Sequence, residues 1–199
     1  MRTFNEALQH RRSYYALRPE SPVSDAQIEE LLRFALLHVP SAYNSQSTRL
    51  VLLLHEQHAA FWQLVAQTLQ VLVPADRFPK TREKIEKSFA SGYGTVLFYE
   101  EEQVVLTLQR ENPAYAQNFP VWAEHTSAMH QLSVWTMLEE VGFGASLQHY
   151  NPLIDKAVQS KWNIPESWRL IAQLPFGIPA ESPAEKSFEP LESRLLCFA

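Results

Sequence analysis

The chain has 199 residues, a formal net charge of −5, 46% hydrophobic and 12% aromatic content, and one cysteine, Cys197. That length supports one core that buries about 70% of the unfolded surface. The acidic balance argues against nucleic acid or an anionic membrane as partner, since both reward clustered positive charge. A single cysteine excludes an intrachain disulfide framework and a cysteine-cluster zinc site.

Thr3-Phe4-Asn5-Glu6 is a capping-box pattern and predicts a short helix to His10, with Phe4, Ala7 and Leu8 on one face. No apolar signal region opens the chain, and no apolar run approaches the about 20 residues that span a bilayer, so a cytoplasmic protein is expected. A second box, Ser24-Asp25-Ala26-Gln27, opens a helix whose Ile28, Leu31, Leu32, Ala35 and Val39 fall at helical spacing before Pro40 stops it. Residues 49–54 read as a buried strand. Residues 57–72 and 80–90 read as helices, the second closed by the Gly92-Tyr93-Gly94 turn. Thr95-Val96-Leu97-Phe98-Tyr99 is the clearest strand, being β-branched and aromatic behind a turn.

Residues 101–108 fit a strand or the start of a helix. Residues 109–121, punctuated by Pro113 and Pro120, read as a surface excursion over a site. Residues 122–141 predict a long apolar helix capped by Gly142. Gly144-Ala145-Ser146-Leu147-Gln148 predicts a short strand, Asn151-Pro152 the start of a helix to about Trp162, and Leu170–Leu174 a third strand ahead of a polar tail. Helices outnumber and separate the strands, which predicts an α+β layer fold in a single domain over residues 1–199.

Common catalytic signatures are missing. Gly142-Phe143-Gly144 lacks the third glycine of a dinucleotide loop and follows a helix, so it reads as a cap and tight turn. No serine elbow is present, and His55 and His58 have no evident third metal ligand. Two polar segments remain. Arg11-Arg12-Ser13 offers two guanidiniums and a hydroxyl suited to phosphate. Pro40-Ser41-Ala42-Tyr43-Asn44-Ser45-Gln46 offers amide and hydroxyl groups to a hydrogen-bonding ring. Taken singly, each also fits a cationic helix end or a plain turn.

The order R-R-S, then P-S-x-x-N-S-Q one helix later, resembles the nitroreductase family of flavoproteins. Gly92–Phe98, Gly144–Pro152 and the spaced tail Lys186, Phe188, Pro190, Glu192, Arg194 extend the likeness over nearly the whole chain. These later stretches are similar to the compact branch containing fatty-acid-repression-type and copper-induced nitroreductases. The resemblance implies a homodimeric α+β three-layer fold, a central mainly antiparallel sheet flanked by helices, with FMN at each of two subunit-interface sites. Arg11, Arg12, Ser13 and Lys186 would hold the phosphate and ribityl chain, with Tyr15 as a further contact. Pro40, Ser41, Ala42, Asn44 and Gln46 would reach FMN from the partner subunit, and Leu147, Gln148 and His149 would line the ring.

Two departures stand out. Many members have a second serine where this chain has Ala42. Many also have an arginine where it has Phe188; Arg194 is the substitute, ranked below Lys186 for phosphate. The implied activity is NADH- or NADPH-dependent reduction of a small nitroaromatic or quinone-type acceptor, with no side-chain nucleophile and neither nucleic acid nor membrane as partner. The other reading of the same features is a flavin-binding regulatory protein in lipid or stress signalling whose turnover is incidental.

Overall fold

The computed structural model describes residues 2–198. In chain order it contains α1 (Phe4–His10), β1 (Leu17–Arg18), α2 (Asp25–His38), β2 (Thr48–Leu54), α3 (His55–Gln70), α4 (Phe78–Ser88), β3 (Gly94–Glu101), α5 (Glu102–Glu111), α6 (Phe119–Glu140), β4 (Gly144–Ala145), α7 (Asp155–Trp162) and β5 (Trp168–Pro179). Single 3-10 turns lie at Ala42–Asn44, Pro113–Tyr115 and Leu191–Ser193.

Both capping boxes form. The Thr3 N–H donates to Glu6 Oε2 at 2.8 Å while the Glu6 N–H donates to Thr3 Oγ1 at 3.4 Å. Ser24 and Gln27 repeat the exchange at 2.9 and 3.3 Å. Each pair satisfies backbone donors that the first helical turn leaves free. At the other end of the pattern, α6 stops where glycine permits it. Gly142 adopts φ +103°, its N–H reaches Glu139 O at 3.0 Å, and the Phe143 N–H reaches Leu138 O at 3.0 Å. That is a left-handed cap which a side-chain-bearing residue would resist.

Antiparallel pairing joins β3 to β2 on one edge and to β5 on the other, and β1 and β4 add short antiparallel pairs to β5. Alternation along β3 divides the core. Val96 and Phe98 pack with Ile28 and Leu32 of α2 and Val134 and Leu138 of α6. Leu97 and Tyr99 pack with Phe61 and Trp62 of α3, Ile85 of α4 and Val158 of α7. Two helical layers therefore sandwich the sheet, each meeting one set of alternate side chains. A bulge adjusts this on β5: Phe98 pairs with Ala172 but Tyr99 with Leu170, so the extra residue Ile171 joins the same core as Ala172.

Several elements differ from their sequence expectation. Residues 101–108 belong to α5, whose N-cap Glu101 accepts a bond from the Gln103 N–H. The excursion over 109–121 is correspondingly short: α5 runs to Glu111, Pro113–Tyr115 makes one turn, and α6 opens at Phe119. Pro120 lies in the first turn of α6, where its missing N–H has no helical partner to lose. The strand expected over 144–148 is confined to Gly144–Ala145: the Ser146 N–H bonds Pro175 O in the same register, but Pro175 has no N–H to return, and Gln148 pairs with Gln173 beyond it. The last helix opens at Asp155, after a turn containing Pro152. Among the described residues, no helix is long and apolar enough to cross a membrane.

The α3 side of the core contains a neutral histidine in a complete network. His58 Nε2–H faces Ala90 O at 3.2 Å, which leaves Nδ1 to accept from Thr95 Oγ1 at 2.8 Å. Thr95 Oγ1 in turn accepts from Trp62 Nε1–H at 2.9 Å. Burial pulls the His58 imidazole down to about 4, although its backbone contacts favour the charged form. The unfolded chain takes up this proton near pH 6.5, whereas the folded chain resists it until about pH 4. The contribution is therefore complete above pH 6.5 and disappears as pH falls toward 4, worth at most about 3 kcal/mol. Urea melts at pH 7 and 4.5 should show the wild type losing about 2 kcal/mol more than His58→Phe over that interval. Equal losses in the two proteins would mean that His58 does not carry this pH dependence.

Candidate functional site

Arg11 closes α1 with its N–H on Ala7 O at 2.8 Å, and the backbone then leaves helical geometry. The next residues run beside β4: Ser13 bridges Ala145, and the Tyr14 N–H donates to Ala145 O at 3.0 Å. The tail leaving β5 returns to the same place. The Ala180 N–H donates to Ala16 O at 2.8 Å, and Arg12 Nη2 donates to Ala184 O at 2.6 Å. Residues near the two termini, 172 positions apart, are thereby fastened together.

Between them lies a cavity of about 520 Å³, lined by Arg11, Arg12, Ser13, Tyr15 and Lys186 together with Tyr14 and Glu181. Three cations face one carboxylate, so this acidic protein presents a locally positive concavity suited to an anion. The Arg11 guanidinium lies 4.3 Å from the Trp135 ring centroid on α6, a cation–π contact. Its buried Nε has no hydrogen-bond partner among the described residues.

A second cavity, of about 400 Å³, lies farther toward the start of α6. Pro40, Ser41, Ala42 and Tyr43 form one wall; Trp122, His125, Thr126 and Met129 form the other. Tyr43 stacks on Trp122 at 6.0 Å with the rings 18° apart, and its other flank meets Phe119 edge-on at 5.2 Å and Tyr115 at 6.5 Å. Through this stack the two walls meet, and the aromatic contacts hold the loop against α6.

The loop that supplies it is backbone-strained. Tyr43, Asn44 and Gln46 have φ of 56°, 51° and 48°. Non-glycine residues occupy that region at a cost of about 1 kcal/mol or more each, so the fold must impose it. Local bonds do so in part: Ser41 Oγ accepts from the Gln46 N–H at 3.0 Å, and Arg49 Nη1 donates to Gln46 O at 2.7 Å.

The expected site residues thus fall into three groups. Arg11, Arg12, Ser13, Tyr15 and Lys186 share the first cavity, and Pro40, Ser41 and Ala42 line the second. Asn44 and Gln46 lie exposed on the second cavity's loop. Leu147, Gln148 and His149 line neither cavity: Leu147 packs against the core, Gln148 donates to Ser146 Oγ at 3.1 Å, and His149 is exposed. Arg194 is exposed beyond the last turn and also lines neither.

Among the described residues none lines both of these cavities, and about 9 Å of helix rise separates Met129 from Trp135. Sequence reading missed Tyr43 and its stacking on Trp122. Tyr43 occupies a variable place in its motif, and Trp122 and Phe119 resemble ordinary core positions of a helix start. His55 and His58, weighed as metal ligands, are instead bonded to Asp25 at 2.7 Å and to Thr95 at 2.8 Å.

Comparison with known proteins agrees with this architecture. A family model described as "Nitroreductase family" matches residues 8–178. The Saccharomyces cerevisiae protein HBN1 is 37% identical over 188 residues, covering 94% of this chain and 93% of its own. Nitroreductase CinD from Lactococcus lactis in complex with nicotinic acid is 39% identical with a TM-score of 0.92, covering 99% of this chain and 100% of CinD. Its complex with 4-nitrophenol is 38% identical with a TM-score of 0.90 at the same coverage.

Because Arg12 is the side chain that fastens the tail, Arg12→Ala should free residues 181–198 for cleavage. Timed chymotrypsin digestion read by mass spectrometry should show cutting at Phe188 accelerated several-fold, with global stability changed by no more than about 1 kcal/mol. An unchanged cleavage rate would show that the tail is held elsewhere.

Proposed function

The chain belongs to the nitroreductase family, and from that premise we propose that it is an FMN-dependent NAD(P)H oxidoreductase. In this reading it reduces nitroaromatic or quinone-type acceptors in ping-pong order as a cytoplasmic homodimer. The observation that carries the reading is the cationic cavity at the joined termini. Arg11, Arg12 and Lys186 line it, with Ser13 and Tyr15. A phosphate monoester carries close to two negative charges near neutral pH, which three cations and the Ser13 hydroxyl suit in charge and in donors.

When bound, FMN supplies the two-electron chemistry, accepting hydride from the nicotinamide and passing electrons to the acceptor. The chain's own contribution is binding and orientation. Arg11, Arg12, Ser13 and Lys186 would grip the anionic end, with Tyr15 beside them. Pro40, Ser41, Ala42, Asn44 and Gln46 would meet the ring from the partner subunit, and Leu147, Gln148 and His149 would line its other side. Tyr43 and Trp122, one on each wall of the second cavity, would offer aromatic surface to an acceptor. CinD is described in complex with nicotinic acid and with 4-nitrophenol, two small aromatic rings, which supports the same ligand class here.

A second copy would bring together the two halves, which one protomer keeps in separate cavities. Unpaired apolar surface supports that copy. Phe34 and Leu37 on α2, Val121, Met129 and Leu132 on α6, and Leu195, Leu196 and Phe198 in the tail are all exposed. An isologous dimer would cover such surfaces and bring each loop to the other's cationic cavity.

The purified protein should be yellow or become so with FMN, and NADPH or NADH without oxygen should bleach it. A nitroarene should then restore the oxidised spectrum. Arg11→Ala or Lys186→Ala should weaken FMN binding by roughly tenfold or more in a dimer of unchanged mass, each losing a charge-assisted contact. Absence of any flavin binding by the wild type would overturn the assignment. Full retention of FMN by both variants at low micromolar protein would overturn the phosphate grip.

A further inference from the structure

The side chains of β3 that face α6 run Val96, Phe98, Glu100: two apolar residues, then a fully buried carboxyl group. A carboxylate in such a place is costly unless hydrogen-bonded. Two hydroxyls meet it. Ser47 Oγ donates to one carboxylate oxygen at 2.5 Å, and Thr48 Oγ1 donates to the other at 2.6 Å. The two contacts give each carboxylate oxygen a hydroxyl donor.

Both donors sit where the strained Pro40–Gln46 loop enters β2. Thr48 lies directly opposite Glu100 in the β2–β3 register, and the Glu101 N–H fixes Ser47 O at 2.9 Å. Beyond these donors lie a hydroxyl in the loop and an imidazole on α6. Ser47 Oγ is 3.4 Å from Ser45 Oγ in the loop. Thr48 Oγ1 is 3.3 Å from His130 Nδ1, whose hydrogen is directed to Thr126 O at 3.0 Å. Thr126 is also in the wall of the second cavity. One buried carboxyl group therefore ties the root of the loop to β3, and His130 of α6 packs against that tie with its own hydrogen committed to Thr126.

We propose that Glu100 is a positioning residue for this loop: accepting from Ser47 and Thr48 together, its carboxylate holds the left-handed run at Tyr43–Gln46, and its protonation loosens that run. The proposal deepens the reading of the loop as part of the flavin site and rests on it only for the consequence on cofactor binding. Protonated, Glu100 must itself donate from one oxygen, so one hydroxyl has to turn away and both charge-assisted bonds are lost.

The surroundings make this protonation accessible. Burial pushes the Glu100 carboxyl above the ordinary carboxylate range, opposed by the Ser47 and Thr48 hydroxyls. Glu124 on α6 adds to the rise, and Arg169 on β5 opposes it. Arg169 is itself engaged by Glu102 at 3.3 Å and Glu124 at 2.6 Å. His130, the titratable group nearest Thr48, is kept toward its neutral form by burial. The loop is accordingly held most firmly above the Glu100 pKa and loosens as pH falls through it. Glu100→Gln reproduces the protonated arrangement, with one acceptor and one donor in place of two acceptors.

Hydrogen exchange of the segment 41–48 in cofactor-free protein, corrected for intrinsic rates, tests this without any ligand. At pH 8 Glu100→Gln should exchange about tenfold faster than wild type, and the gap should close toward pH 5 as the wild type loosens. FMN titrated into both proteins at pH 8 should bind the variant about tenfold more weakly. Equal protection at pH 8 overturns the proposal, as does a gap that is the same at both pH values, which a purely structural role would produce. Should Glu100→Gln fail to fold, Ser47→Ala keeps the carboxylate, removes one donor, and should shift exchange in the same direction; no shift overturns the proposal. A loosened loop with unchanged FMN affinity removes the link to the cofactor. A wild type that binds no FMN overturns the functional assignment and leaves the exchange result to decide the role of Glu100.

Discussion

Two hydrogen bonds at the end of β5 hold the rest of the site in place. The Ala180 N–H on Ala16 O and Arg12 Nη2 on Ala184 O bring the first turn after α1 against the tail. Without them Lys186 would belong to a free polar tail, and Arg11 and Arg12 would be cations at a helix end. With them, three positive groups converge on one cavity. The sheet makes this convergence possible: β5, twelve residues long, carries β3 along one side and β1 and β4 near its end, so the chain's opening and closing segments meet at one corner.

The second half of the site is built on a different principle. Its loop is held in a conformation that its own residues disfavour, with three left-handed positions among Tyr43–Gln46. Stacking of Tyr43 on Trp122 secures the loop's tip, Ser41 and Arg49 secure its middle, and Glu100 secures its root. Strain maintained from three sides is the mark of a segment whose shape matters more than its local stability. This loop and the cationic cavity are separate within a protomer, and the proposed site would join them across two chains. The exposed apolar residues of α2, α6 and the tail have the chemistry for that contact.

Much of this was legible in the sequence wherever a local rule dictated it. The capping residues at Thr3 and Ser24 and the glycine stop at Gly142 act within a few positions, and all three formed as written. The layered α+β class followed from helices separating strands, and R-R-S and Lys186 were recognised by motif and do share a cavity. What stayed hidden depends on long-range pairing. β1 is two residues long and exists only because Leu17 and Arg18 lie opposite Pro179 and Ile178. Gln148 was expected within a strand, yet it makes one isolated pair with Gln173, 25 positions on, because Pro175, opposite Ser146 in the same register, has no N–H to continue the ladder. Glu100 fell between the strand expected over Thr95–Tyr99 and the segment 101–108; only the register with Thr48 reveals that its carboxyl is buried and bonded.

The central claim, that each flavin site takes its cationic end from one chain and its loop from another, is tested most directly by mixing two defective chains. One carries Arg11→Ala with Lys186→Ala, the other Ser41→Ala with Asn44→Ala, and FMN bound per chain is measured by equilibrium titration after subunit exchange. A shared site predicts that the mixture recovers tight binding at one FMN per mixed dimer, because one of its two sites is then wholly wild-type. If the mixture binds no better than its parents, the two halves come from the same chain and the account is wrong.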